Sequence, residues 1–269
     1  MRGGCVSKSV LVFDSGVGGL TVYDEIRQLL PGLHYLYVFD NARFPYGELP
    51  ADELVKRCVA VISQVVRLHP IDLVVIACNT ASTQVLPALR AMLSIPVVGV
   101  VPAIKPAAQI SRNGCIGLLA TPATISRPYI DRLIENHASH VKVLRCGSTE
   151  LVHQAERKLS GLPVEQEKIE AILRHWQSGK EVPDTLVLGC THFPLLKEEI
   201  GKVLPEVKLI DSGRAIARRV HELLALDGMA AVTAQDSFAY CTLLNQHAGA
   251  LGLALEQRGL AEIKELSVK

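Results

Sequence analysis

Asp72-Leu73-Val74-Val75-Ile76-Ala77-Cys78 is a short, almost unbroken apolar run that opens on an aspartate and ends on a cysteine. Asp184-Thr185-Leu186-Val187-Leu188-Gly189-Cys190 repeats the pattern. Polar residues follow each at once, Asn79-Thr80-Ala81-Ser82 after the first and Thr191-His192 after the second. Runs of this length, apolar on successive rather than alternate residues, read as strands buried on both faces. Similar runs recur outward from each, at 9–14, 35–40 and 95–100 in the first half and at 115–120, 141–146 and 207–211 in the second. Between them, segments such as 51–68 and 164–178 place apolar residues at helical spacing. Strands alternating with helices predict an α/β fold with two pseudo-symmetric, doubly wound domains and mostly parallel sheets. Each half should hold four strands, with Cys78 and Cys190 on the third of each. Ligands of open α/β sheets sit at the carboxyl ends of the strands. The two thiols are therefore expected on opposite walls of one cleft between the domains.

Composition narrows the function. The chain of 269 residues is 49% hydrophobic and 20% charged, as in ordinary globular proteins. Its 28 basic and 27 acidic residues give a net charge of +1, without the basic excess of a duplex nucleic-acid binder. No apolar stretch approaches the roughly 20 residues that span a bilayer, and Met1–Lys8 lacks the apolar core of a secretory signal. Seven cysteines without a C-x-x-C pair do not read as a disulfide framework. A cytoplasmic protein, with no membrane or nucleic-acid partner, is expected.

Cysteine is often a small buried hydrophobe, and that reading suffices for Cys5, Cys58, Cys115, Cys146 and Cys241. Cys78 and Cys190 differ because each ends an apolar strand where amides and hydroxyls begin, a setting that attracts an anionic ligand. Racemisation needs a base on one face of a carbon and an acid on the other, with the roles exchanged in reverse. Two thiols meet that symmetry. Asp14, ending the first strand, and His192, two residues after Cys190, are candidates to manage their protons. The turn Asp14-Ser15-Gly16-Val17-Gly18-Gly19 lacks the spacing of a dinucleotide site or a P-loop, leaving close backbone approach to a small ligand or a plain tight turn. The loop Asn41–Gly47 carries Pro45, Tyr46 and Gly47, where Tyr46 either binds a carboxylate or packs. Cys190-Thr191-His192 alone does not make a zinc site. Arg214, Arg218 and Arg219 read as the solvated face of a helix.

These segments together resemble the glutamate racemases of the aspartate/glutamate racemase superfamily. The resemblance rests on 13–22, on Ala42-Arg43-Phe44-Pro45-Tyr46-Gly47 and on Ala77-Cys78-Asn79-Thr80-Ala81-Ser82. It continues through Gly189-Cys190-Thr191-His192-Phe193-Pro194-Leu195-Leu196 and Leu209-Ile210-Asp211-Ser212-Gly213. It implies domains at 1–98 with 213–269 and at 99–212, and a reaction without metal or other cofactor that supplies D-glutamate for peptidoglycan. Cys78 would take the α-proton of D-glutamate with help from Asp14, and Cys190 that of L-glutamate with help from His192. Ser15, Pro45, Tyr46, Gly47, Asn79, Thr80, Thr121, Thr124 and Thr191 would hold the substrate. A homodimer and a peptidoglycan-precursor activator are further implications. The family's acidic residue after Leu151-Val152 aligns with His153, so that Glu150 or Glu156 substitutes for it, or the acidic assistance is absent or replaced by His153. Racemisation of aspartate or another acidic amino acid, and a non-catalytic binding protein on the same fold, remain the alternatives.

Overall fold

The computed structural model describes residues 8–178, 181–224 and 237–268. Cys5 and the rest of the first seven residues lie outside that description, as does the stretch 225–236 of the C-terminal segment. Contacts divide the chain into two compact units, Met1–Val100 with Gly213–Lys269, and Val101–Ser212. The first unit starts with β1 (Ser9–Asp14), α1 (Leu20–Leu29), β2 (His34–Phe39), α2 (Ala51–Leu68), β3 (Leu73–Ile76), α3 (Asn79–Met92) and β4 (Val97–Gly99). The second holds α4 (Ile104–Ile110), β5 (Cys115–Ala120), α5 (Pro122–Ile125), α6 (Pro128–His137) and β6 (Lys142–Gly147). It continues with α7 (Glu150–Leu159), α8 (Gln166–Leu173), β7 (Thr185–Leu188), α9 (Lys197–Val203) and β8 (Lys208–Ile210). The chain returns to the first unit with α10 (Gly213–Leu224), β9 (Ser237–Cys241), α11 (Gln246–Ala250), α12 (Gly252–Glu256) and β10 (Leu260–Glu265).

Every described strand pairing is parallel. The first sheet runs β10-β9-β2-β1-β3-β4 and the second β6-β5-β7-β8. Matched in chain order, the second repeats the β2-β1-β3-β4 core of the first. The likeness extends to single hydrogen bonds. Asp72 N donates to Ser9 O (2.9 Å) and Ala77 N to Phe13 O (2.7 Å), while Asp184 N donates to Cys115 O (3.2 Å) and Gly189 N to Leu119 O (2.7 Å). The two aspartate-to-cysteine runs thus occupy the same place in each unit.

The cores follow from the apolar pattern. On one face of the first sheet Leu11, Phe13, Leu36, Val38, Val74 and Ile76 meet α2 and α3. Helix α2 offers Leu54, Cys58, Val61, Ile62 and Val65, one stripe at helical spacing. Helices α1 and α10 pack on each other. Ile216, Ala217, Val220 and Leu224 of α10 are buried, whereas Arg214, Arg218 and Arg219 are exposed, as a solvated face requires. In the second unit Ile116, Leu118 and Val187 pack with Ile104, Ala107 and Ala108 of α4 and Ile130 of α6. Among the described residues no helix is long and apolar enough to cross a membrane.

Two expectations are corrected. The first sheet has six strands rather than four, and the end of the chain supplies the additional pair. β9 is only five residues long, and Glu262, Lys264 and Glu265 punctuate β10, as suits a strand at the sheet's edge. Neither gives a strong apolar period. The β3 and β7 strands also end two residues before their cysteines, at Ile76 and Leu188.

Because β9 covers β2, and Ala239, Cys241, Leu260 and Leu266 are buried, a chain ending at residue 236 would leave β2 as an exposed apolar edge. We expect it to aggregate, or to melt well below the full chain by circular dichroism. An unchanged, monodisperse melt would show that the strand pair adds no stability.

Candidate active site

Cys78 stands between β3 and α3, with extended backbone (φ −120°, ψ 117°), and its carbonyl accepts the first turn of the helix from Ser82 N (2.9 Å). Its neighbour in the sheet is β1, whose last residue is Asp14. In a β2-β1-β3-β4 sheet the chain leaves β1 towards one side and β3 towards the other, so a crevice opens where their carboxyl ends meet. Ser15 Oγ lies 3.7 Å from Cys78 Sγ. The fully buried Asp14 carboxylate accepts Ser15 N (2.7 Å) and Gly19 N (2.6 Å), which fixes the turn that carries Ser15. Gly19 has no room for a side chain, since a β-carbon there would stand 2.8 Å from Asp14 Cβ and 2.9 Å from the Tyr37 hydroxyl. Gly19 thus serves tight packing around Asp14.

Asn79 and Thr80 begin α3 and are almost completely buried. Asn79 Oδ1 is a buried acceptor without a hydrogen-bond partner among the described residues, and such atoms need an explanation. The Tyr46–Glu48 turn packs against α3, which brings Pro45, Tyr46 and Gly47 beside this half-site. The Tyr46 hydroxyl donates to Asp40 Oδ2 (2.6 Å). Burial, then the nearby Cys58 and Asp40, hold this phenol well above its ordinary pKa, so it remains a donor. The hydroxyl proton is therefore committed to Asp40.

The second unit repeats the plan with other residues. Cys190 follows β7 and is 7% exposed, close to the 6% of Cys78. The residue before it must be small, because a β-carbon on Gly189 would meet Leu118 at 3.0 Å and Leu119 O at 3.1 Å. Thr191 and His192 lead into a short 3-10 turn, Phe193–Leu196, rather than directly into an α-helix. His192 Nδ1 is 3.7 Å from Cys190 Sγ, and Nε2 is 2.6 Å from Glu156 Oε1 on α7. Burial opposes a charge on His192, but the hydrogen bonds and charges of Cys190 and Glu156 outweigh it and raise its pKa well above 6.5. Beside β7, Thr121 caps α5: its Oγ1 accepts Thr124 N (3.3 Å) and lies 2.9 Å from Thr124 Oγ1.

The open question around His153 is resolved by this geometry. His153 is exposed, and Glu150 bonds Gln154 and Lys168, whereas Glu156 holds His192. Alignment by local sequence had no means of choosing, because the choice depends on which face of α7 turns inward. Asp211, in the echo of the glycine turn, pairs with Lys197 at 2.6 Å. Among the described residues no three His, Cys, Asp or Glu side chains gather as a metal site would need.

Sequence reasoning missed Asp40. It lies just past β2, is fully buried, and accepts Arg57 Nε and Nη2 (both 2.8 Å), the Tyr46 hydroxyl and Thr242 Oγ1 (2.5 Å). Its place after a strand end, like that of Asp14, was the available signal.

The family described as Asp/Glu/Hydantoin racemase matches residues 10–220. The chain belongs to that family. The racemase is 53% identical to the glutamate racemase of Photorhabdus laumondii over 259 residues, covering 96% of this chain and 90% of that protein. It is also 53% identical to the glutamate racemase of Serratia proteamaculans, over 97% of this chain and 91% of the relative. Among solved structures it resembles Escherichia coli glutamate racemase in complex with L-glutamate and the activator UDP-MurNAc-Ala. That match has 50% identity and a TM-score of 0.94, and covers 98% of this chain and 100% of that one. A glutamate racemase isoform of Bacillus anthracis matches with 32% identity and a TM-score of 0.80, over 97% and 99% of the two chains. The racemase is thus an isomerase by family, and its Cys78 and Cys190 follow the carboxyl ends of parallel strands.

His192 provides a direct test. A raised folded-state pKa means that its proton stabilises the fold fully below the unfolded value of about 6.5, and that this contribution is lost as pH climbs through the folded value. We expect histidine NMR to find His192 titrating well above 6.5, and Glu156→Gln to move it down. Titration of the unmodified racemase at or below 6.5 would refute the ion-pair reading.

Proposed function

We propose that the racemase interconverts L-glutamate and D-glutamate without a cofactor, using Cys78 and Cys190 as its two acid/base groups. The observation that carries this reading is the pair of thiols in equivalent places of two sheets with one strand order, each with its own buried polar partner. A symmetric reaction asks for like groups at both ends, and the two thiols repeat in that way. One sulfur is a thiolate when the substrate arrives and takes the α-proton; the other, a thiol, returns a proton to the opposite face. The products leave the two sulfurs with their roles exchanged.

Cys78 acts on D-glutamate and Cys190 on L-glutamate. Asp14 supports Cys78 through the turn that holds Ser15, and the His192–Glu156 pair supplies or receives the proton of Cys190. Asn79 Oδ1, without a partner among the described residues, suits the substrate ammonium, with Thr80 beside it. The backbone of Pro45, Tyr46 and Gly47 and the hydroxyls of Ser15, Thr121, Thr124 and Thr191 take the carboxylates. We infer domains at 1–98 with 213–269 and at 99–212, with one thiol in each. Support for glutamate comes from the named relatives, and the Escherichia coli complex with UDP-MurNAc-Ala supports a peptidoglycan-precursor activator. We further infer a cytoplasmic homodimer that furnishes D-glutamate for peptidoglycan.

Polarimetry with L-glutamate, and with L-aspartate in parallel, tests the substrate. Loss of rotation is expected with glutamate and not with aspartate; equal rates with both would overturn the assignment. Cys78→Ser and Cys190→Ser should each lower turnover by at least about 10²–10⁴-fold, the usual size of an acid/base contribution, with an unchanged far-ultraviolet circular dichroism spectrum. The kcat/KM profile should be bell-shaped, with limbs belonging to the coupled thiols. Near-normal racemisation by either serine variant would eliminate the two-thiol mechanism.

A further inference from the structure

The end of β9 is stitched to the start of the loop that carries Tyr46 and Gly47, and Thr242 makes most of the stitches. Its hydroxyl donates to Asp40 Oδ1 (2.5 Å) and accepts Ala42 N (3.1 Å). Its backbone N donates to Asn41 Oδ1 (3.1 Å) and Phe39 O (3.3 Å). Asn41 answers from the other side: Oδ1 also accepts Leu243 N (3.0 Å), and Nδ2 donates to Leu243 O (2.6 Å). Asp40 passes the constraint on, because its other oxygen accepts the Tyr46 hydroxyl and Arg57 Nε. β9 is in turn held by β10 and by Leu266 N on Cys241 O (2.7 Å).

We propose that Thr242 is a positioning residue for substrate binding, through which the C-terminal strand pair sets the Pro45-Tyr46-Gly47 backbone. The inference rests on the proposed role of that backbone in holding glutamate. A turn whose only task was to close the sheet would need the backbone pairing of β9 with β2. The hydroxyl instead reaches sideways to a fully buried carboxylate and to an amide of the loop. It is both donor and acceptor there, so it fixes the loop in two directions at once. Removing it leaves the Asp40 carboxylate with one donor fewer and Ala42 N without that acceptor. The Tyr46 hydroxyl and the amides behind it are then free to drift, while the sulfurs that follow β3 and β7 stay in place.

The test compares Thr242→Val, which keeps the shape and removes the hydroxyl, with Thr242→Ser, which retains it. Steady-state kinetics in both directions should show KM for glutamate raised about fivefold or more in the valine variant, the size of one lost hydrogen bond, with kcat changed less than KM. Thr242→Ser should restore the unmodified KM. Hydrogen exchange of amides 42–49 should be faster in the valine variant alone. Asn41→Ala, which cuts the clamp from its exposed side, should shift KM and exchange in the same direction and serves if the valine variant does not fold. Unchanged KM and exchange in the variants, or a serine variant as impaired as the valine, would overturn the proposal. If the unmodified protein does not act on glutamate, the functional reading fails, and the exchange data still decide whether Thr242 holds the loop.

Discussion

The pairing of each unit's third strand with its first is the constraint on which the rest depends. Backbone hydrogen bonds from Ala77 to Phe13, and from Gly189 to Leu119, carry the sheet one residue beyond the strand and hand the chain to the cysteine in a fixed direction. A parallel strand buried on both faces has no freedom to slip, because a one-residue shift would exchange the side chains facing the two helix layers. The sulfur position is therefore set by the hydrophobic core, and the polar groups around it adjust to that position.

Those polar groups differ between the units although the strand order is shared. Beside Cys78 one partner is a serine hydroxyl, held by a turn that Asp14 organises through two backbone amides. Beside Cys190 it is an imidazole backed by a carboxylate. Both arrangements are buried, where hydrogen bonds and charges act more strongly than in water. A racemase has to manage two protons in unlike surroundings, since the two faces of an amino acid are not equivalent. Two unlike supports around two like thiols suit that requirement.

The buried Asp40 carboxylate shows the same logic one step farther out. Removing a charge from water is costly unless it is paired and hydrogen-bonded. Asp40 meets four donors, two from Arg57 and one each from Tyr46 and Thr242. They come from α2, from the loop after β2 and from the turn after β9, so one acid unites segments that are distant in the chain. Tyr46 is drawn into this network, which is why its ring packs near Phe13 while its hydroxyl is spent on the protein.

The apolar runs and the aspartate-to-cysteine repeat determined the α/β class, the eight strands of the repeated core, and the two thiols as the residues of interest. Those features are local: strand burial on both faces writes itself into successive residues, and a reactive group at a strand end is marked by the polar residues after it. The choice of Glu156 over His153 and Glu150 was decided by the face of α7 that packs inward. The strands β9 and β10 were decided by the exposed edge of β2, which accepts short or charged segments that have little strand signal of their own. Asp40 and Thr242 met only through tertiary contact, because hydrogen bonding between residues 202 positions apart leaves no period or spacing in the chain.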